Sequence, residues 1–403
     1  MKLLKSTIFT AAALLIAFGF SSASLAASAD DYNQEFEVGS GGTLVLNSDS
    51  GPIEVSTWDQ NRVRVRIRNA EDFDVSMEQQ GDDVLVIAES ERRGGIFGGF
   101  GRSNIRFDVN VPVDYNVDLD TGGGHISVEP INGNVRADTS GGRIEIGRVI
   151  GNVIADTSGG RIEIDDVDGN VSADTSGGSI TIGNVTGSVS ADTSGGQINI
   201  GDVGGDLVAD TSGGSITVGR GSGRVELDTS GGTIRADWAV GEIIADTSGG
   251  NIYLAGSETR VEADTSGGNI EIDRSGGEVV ADTSGGSITI RQAVGPIRAD
   301  TAGGRIDAEL ASYAGSRNAS VELETAGGDV TIRIPSDHGA SIVADLEVSR
   351  RARGDYRIYT DFPLTISEND DGDIIGRGDI NGGGDRIYLE TTNSDIHIVS
   401  VEN

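Results

Sequence analysis

The chain has 403 residues, 64 acidic against 30 basic side chains, a net charge of −34 and no cysteine. That balance argues against nucleic acid and anionic membrane surfaces as partners, because both are bound by displacing counterions with positive charge. It also excludes disulfides, thiolate metal sites, a cysteine nucleophile and a lipid anchor on cysteine.

From the N-terminus, Met1-Lys-Leu-Leu-Lys is followed by an apolar run from about Ile8 to Phe20 and by small residues with Ala-x-Ala-like sites ending at Ala26 or Ala29. This is the pattern of a cleaved secretory signal peptide, residues 1–29. Its removal takes away two lysines and no acid, which moves the net charge from −34 to −36. No second apolar stretch is long enough to span a bilayer as a helix. The expectation is an exported protein that is periplasmic, on the cell surface or secreted.

Residues 30–113 alternate irregularly. Phe36-Glu-Val, Thr43-Leu-Val-Leu, Ile53-Glu-Val, Val63-Arg-Val-Arg-Ile, Val84-Leu-Val-Ile and Ile105-Arg-Phe-Asp-Val-Asn-Val read as strands separated by turns such as Asp49-Ser-Gly-Pro. We expect degenerate coils plus a hairpin that covers the N-terminal edge of a sheet. A glycine-rich insertion, Arg92 to Arg102, carries Ile96, Phe97 and Phe100, and is a candidate contact loop.

The centre of the chain is a repeat. Asp-Thr-Ser-Gly-Gly begins at Asp138, Asp156, Asp174, Asp192, Asp210, Asp228, Asp246, Asp264 and Asp282, always 18 residues apart. Asp120-Thr-Gly-Gly-Gly and Asp300-Thr-Ala-Gly-Gly keep the register at either end, and Glu324-Thr-Ala-Gly-Gly follows 24 residues later. A fixed period in which no copy can bury a face alone predicts stacked coils. Within a coil, Val153, Ala155 and Thr157 share one face and Ile154, Asp156 and Ser158 the other, and Ile162 and Ile164 alternate with Arg161 and Glu163. The column from Ile126 to Ile306 is isoleucine in all eleven copies, and the column from Leu119 to Ala299 is Ala or Leu, whereas their neighbours vary. Fixed columns are therefore core and variable columns solvent. The fold class expected is all-β, a parallel β-helix or β-solenoid with 18-residue coils, two short strands per coil and irregular β caps at both ends. The regular part spans residues 114–310.

Beyond Arg305 the period fails. Residues 311–403 read as a C-terminal cap, with Val330-Thr-Ile-Arg-Ile-Pro, a basic cluster at Arg350, Arg351 and Arg353, and a last strand pair in Arg386-Ile-Tyr-Leu-Glu-Thr-Thr-Asn-Ser-Asp-Ile-His-Ile-Val.

Several segments together resemble a bacterial family of exported β-strand-repeat proteins known as "putative adhesins", whose biochemical role is not established. They are Gly51-Pro-Ile-Glu-Val with Trp58-Asp, Val109-Asn-Val-Pro-Val, the Thr-Ser-Gly-Gly-x-Ile coils, Ile334-Pro, Thr360-Asp-Phe-Pro and Leu389-Glu-Thr-Thr-Asn-Ser-Asp-Ile-His-Ile. The resemblance spans essentially all of the chain after residue 29, and its motifs are structural. It implies a fold and an exported location.

For the polar columns, we expect inward threonines to stack as a ladder, each hydroxyl donating to the next or to a backbone carbonyl, and each Asp to accept hydrogen bonds from the N–H groups of its own Ser-Gly-Gly turn. An alternative gives the Asp column, including Asp138, Asp156, Asp174, Asp192 and Asp210, to Ca²⁺ in the manner of a β-roll, although the Gly-Gly-x-Gly-x-Asp arrangement of such rolls is absent. Ice binding by threonine arrays is set aside because this threonine column reads as buried. A further alternative is a polysaccharide lyase or hydrolase on a β-helix. Against it, the carboxylates form ladders rather than one distinct pair, and His125, His338 and His397 have no metal-ligand spacing. No serine has a base at a fixed distance, and no phosphate-loop or dinucleotide signature occurs. The function expected is a non-catalytic, adhesin-like structural or binding protein of the cell envelope or exterior, without a cofactor, that presents a rigid surface to a protein or polysaccharide. Candidate contact residues are Phe97, Phe100, Tyr253 and Trp238. Aromatic content is only 4%, so Trp58, Trp238 and Tyr253 are the few rings on which a sugar could stack.

Overall fold

The structure, a computed structural model, describes residues 31–91, 104–311, 319–349 and 354–402. The leader at 1–29, the contact loop with Ile96, Phe97 and Phe100, and the basic cluster Arg350, Arg351 and Arg353 lie outside the described residues. Among those described, every regular element is a strand.

Each coil follows from the alternation in its sequence. Val153–Thr157 buries Val153, Ala155 and Thr157, and Ile162–Ile164 buries both isoleucines, while Ile154, Asp156 and Glu163 face outward. Successive coils pair in parallel and in register, Ala155 beside Ala173 and Ile162 beside Ile180. The inward columns thus become two continuous stacks, here called the Asp sheet and the Ile sheet. Each isoleucine of the column that runs from Ile126 to Ile306 in steps of 18 is at most 1% exposed. Burying each is worth roughly 1.5–3 kcal/mol, and the rod is stable by repetition.

The coil also has a third, short side. Ile131–Asn132, Val149–Ile150 and Val167–Asp168 pair in parallel, and single bridges continue the column through Val185, Val203, Gly221 and Ala239. One inward residue per coil, most often valine, fills this corner, too little apolar sequence to signal a strand by periodicity.

Glycine and threonine of the repeat set the contact between coils. A Cβ on the second glycine of the motif would lie 1.8 Å from the carbonyl oxygen of Gly142 at Gly160, and 1.9 Å from that of Gly178 at Gly196. The coils close to strand spacing only because no Cβ is there. The first glycine has space: at Gly195 the nearest atom would be 3.6 Å away. Buried Thr157 spans the same point. Its hydroxyl donates to the Gly142 carbonyl of the preceding coil at 2.9 Å and accepts from the Gly160 N–H at 3.3 Å. The bond repeats at Thr175, Thr193, Thr211 and onward to Thr325. The hydroxyls therefore bond to backbone rather than to one another. Asparagine and serine do similar work at the corners, where Asn134 Oδ1 accepts from Asn152 N–H and Asn152 Oδ1 from Asn170 N–H, each at 2.9 Å.

Both ends depart from chain order. Leu46 pairs with Leu119 on one side and Val86 on the other, so the coil of Thr43–Ser48 and Ile53–Trp58 lies between Asp83–Ser90 with Arg106–Pro112 and the first regular coil. At the far end, Asp385–Thr392 and Ile396–Val401 lie between Val321–Thr325 with Val330–Pro335 and Ala340–Glu347 with Ile358–Thr360. The first and last coils of the chain are each clamped between two others. The Asp sheet thereby has sixteen parallel levels, about 70 Å at the usual strand spacing. Antiparallel strands follow: Phe73–Gln80 and the pair Asp31–Glu37 with Arg62–Arg68 at one end, Thr365–Glu368 and Ile374–Ile380 at the other.

The two glycines of one turn should therefore respond differently. Gly196→Ala is expected to cost about 3 kcal/mol or more in urea unfolding, and Gly195→Ala to stay within about 0.5 kcal/mol of the parent. Equal effects would show that close coil contact does not constrain the turn.

Candidate functional site

On the Asp sheet, the outward residue before each buried threonine is a carboxylate. Register carries the file from Asp120 through Asp138 to Asp300, then to Glu324, Glu390 and Asp345. Fourteen carboxylates stand on consecutive strands over about 60 Å at the usual spacing. The last two join because the chain folds its final coil inward, which no sequence period announces.

The expected bond from the turn N–H groups to Asp is not what the structure shows. Thr157 Oγ1 takes the Gly160 N–H, and among the described residues the carboxylates from Asp156 to Asp282 receive no hydrogen bond. Aspartate sits one residue too early, on the outward face. Burial first, and then the charge of the next carboxylate, raise Asp156, Asp174, Asp192, Asp210, Asp228 and Asp264 above the usual aspartate value, with Arg136 partly offsetting this at Asp156. Beside Asp174, Asp192 and Asp210 the flanking outward residues are Ser172, Ser190 and Val208, which supply no counter-charge. For the Ca²⁺ alternative, Asp138, Asp156, Asp174, Asp192 and Asp210 stand in single file, and among the described residues no three acidic or histidine side chains converge as a metal site.

The Ile sheet carries a different surface. The Arg235 guanidinium lies 4.8 Å from the Tyr253 ring centre, and Asn251 Nδ2 donates to the Tyr253 hydroxyl at 3.2 Å. A hollow of about 210 Å³ beside them includes Asp237, Glu271 and Asp273. Arg291 binds Glu271 and Asp273 at 2.6 and 2.5 Å, so this pair of carboxylates is already engaged. Trp238 lies three residues beyond Arg235 on the same strand, Ile234–Ala239, but in a separate groove of about 420 Å³ on the third side. Trp58 is far away in the N-terminal coils, its Nε1 donating to the Arg62 carbonyl at 2.7 Å and the Arg64 guanidinium 4.7 Å from its ring centre. His125 meets Glu54, His338 meets Asp385, and His397 stacks on Tyr359 with ring centres 4.9 Å apart.

No family model matches this chain, and no curated protein does. Among solved structures, a "putative cell adhesion protein" from Clostridium sporogenes ATCC 15579 aligns at 8% identity over 92% of this chain and 100% of its own, with a TM-score of 0.19. A "putative adhesin" from Bacteroides fragilis NCTC 9343 aligns at 10% identity over 93% and 98%, TM-score 0.19. A "putative lipid binding protein" from Parabacteroides distasonis ATCC 8503 aligns at 14% identity over 69% and 96%, TM-score 0.22. Two of these bear the adhesion name of the family that the motifs resemble. Scores this low carry no argument about activity, and the fold rests on the ladders described above.

The carboxylate file makes a prediction about charge. A carboxylate whose folded pKa is raised takes up protons on folding; its contribution is fully present below the unfolded pKa and lost as pH rises through the folded one. At pH 7 the file therefore opposes folding. Asp192→Asn should stabilise the chain there by about 0.5–1 kcal/mol after salt screening, and the gain should vanish as pH falls through the carboxylate range. Melting curves of both chains across that range test this. A loss of stability at pH 7 would mean that Asp192 makes a bond the rod needs.

Proposed function

We propose that the chain is a non-catalytic envelope or secreted protein, adhesin-like, that acts as a rigid rod and offers its long outer faces to a macromolecular partner. The observation that carries this reading is that the inward columns are filled from end to end by buried side chains, mostly Ile, Val, Ala, Leu and Thr, with serine at Ser48, Ser257 and Ser275. Function is thus left to the outward columns, whose identity the fold does not dictate. Solenoids suit extended partners because each coil repeats the same backbone frame and varies only what it displays. The engagement of Glu271 and Asp273 by Arg291 supports a binding rather than a hydrolytic role for that hollow.

The proposed location is outside the cytoplasm. The proposed division is a leader, 1–29, two caps, 30–113 and 311–403, and a regular rod, 114–310. The high negative charge would keep so repetitive a β-protein from associating with itself.

Sedimentation of the purified full chain with isolated cell envelopes tests the reading. Binding should saturate, and should weaken when Arg161, Glu163 and Tyr253 are exchanged for residues found elsewhere in their own columns, with melting unchanged. Indifference to these exchanges would remove the outward face of the Ile sheet as the binding surface.

A further inference from the structure

The third side of the rod changes character at Trp238. In earlier coils Ile131, Val149, Val167, Val185 and Val203 fill it, and after Gly221 the inward column is Ala239, Ser257, Ser275 and Ala293, all buried and small. The Ile strands lengthen to six residues and run on to this side, as in Ile234–Ala239, Ile252–Ser257, Ile270–Ser275 and Ile288–Ala293. Two outward columns flank the small one. Trp238, Gly256, Arg274 and Gln292 form one; Val240, Glu258, Gly276 and Val294 form the other. Between them lies the groove of about 420 Å³, running along the rod from Trp238 to Ala311, about 19 Å at the usual strand spacing.

The groove has the parts of a ligand site. Gly256, at φ 130°, leaves the Trp238 ring free to lie against its backbone, since a Cβ there would be 3.1 Å from Cζ3 of the indole and 1.8 Å from the Arg274 carbonyl oxygen. Among the described residues, the Trp238 Nε1–H has no acceptor and the side chains of Glu258, Arg274 and Gln292 have no hydrogen-bond or ion-pair partner, and Arg274 and Gln292 are exposed. Gln292 holds φ 50°, a left-handed conformation that a non-glycine residue adopts at a cost, and such strain collects at binding sites.

These features select among ligands. A peptide strand would need a free sheet edge for its main chain. Here the backbone groups are spent between coils, as in Glu258 N–H to Ala239 O and Val294 N–H to Ser275 O, so the groove offers side chains alone. An aromatic ring with several polar groups beside it fits a hydroxylated pyranose ring. A polyanion is disfavoured by a chain of net charge −34 and by Glu258 at the groove itself.

We propose that this groove binds a neutral polysaccharide laid along the rod, with one sugar ring on Trp238 and its hydroxyls bonded by Arg274, Gln292 and Glu258. The proposal rests on the reading of the chain as a binding rod and names the partner class of one face.

Native gels cast with hydroxyethyl cellulose, laminarin, dextran or galactomannan, with alginate as the anionic comparison, test it using the full chain. At least one neutral gel should retard the protein and alginate should not. Trp238→Ala and Arg274→Ala should each weaken the retardation at least tenfold with unchanged melting, while Trp58→Phe should not. In the Trp58→Phe chain, tryptophan emission should shift when the retarding glycan is added in soluble form. Should Trp238→Ala fail to fold, the exposed Arg274→Ala and Gln292→Ala carry the test. Retardation that survives these substitutions overturns the groove assignment. No retardation in any neutral gel, from a chain that still sediments with envelopes, overturns the sugar and leaves the binding rod; loss of both overturns the rod as well.

Discussion

The contact on which the structure depends is the one between the second glycine of each turn and the glycine carbonyl of the coil before it. At Gly196 the missing Cβ would have stood 1.9 Å from the oxygen of Gly178, and at Gly214 1.8 Å from that of Gly196. The buried threonine then bonds the same carbonyl, as Thr193 does at 2.8 Å. One residue allows the approach and another fixes it, and the in-register stacking of Ile, Val and Ala follows. Close packing of this kind tolerates neither an added methyl nor a slip of register.

Repetition leaves two ends, and a parallel sheet with open ends would template further strands. The chain answers this by returning on itself. The first coil lies inside the coil that follows it in sequence, and the last coil lies inside the one that precedes it. Antiparallel strands then extend both sheets at the N-terminal end, Arg62–Arg68 and Phe73–Gln80, and the Asp sheet at the other, Ile374–Ile380 and Thr365–Glu368. The terminal coils gain neighbours on both sides, so the ends of the polypeptide are not the ends of the rod. The carboxylate file runs unbroken through this rearrangement, because Glu390 enters between Glu324 and Asp345.

The regular coil was legible because its two signals reinforce each other: a period of 18 and, within it, alternation that leaves one face invariant. That sufficed to place Ile162, Ala155 and Thr157 inside and Asp156 and Glu163 outside. What the period could not reveal was which side chain bridges the turn. Asp and Thr are adjacent and equally repeated, both able to accept an N–H, and only the inward direction of Thr157 puts its oxygen beside Gly160. The third side was hidden because one inward residue per coil makes no pattern. The inserted terminal coils were hidden because sequence neighbours there are not spatial neighbours. Trp238 was singled out for its chemistry alone; the groove beside it depends on small residues at Ser257 and Ser275 and on glycine at Gly256 and Gly276, which only the stacked register brings together.

If the rod is held by coil contacts in fixed register, a whole coil is a removable unit and half a coil is not. Deleting residues 175–192 joins Asp174 to Thr193 and restores the motif, whereas deleting residues 175–183 sets the inward columns of one coil against the outward columns of the next. The direct measurement is small-angle scattering with thermal melting on both chains. The account predicts that the 18-residue deletion stays folded, melts cooperatively and shortens the rod by about 5 Å, and that the nine-residue deletion loses cooperative melting. Equal damage from the two deletions, or equal tolerance, would contradict it.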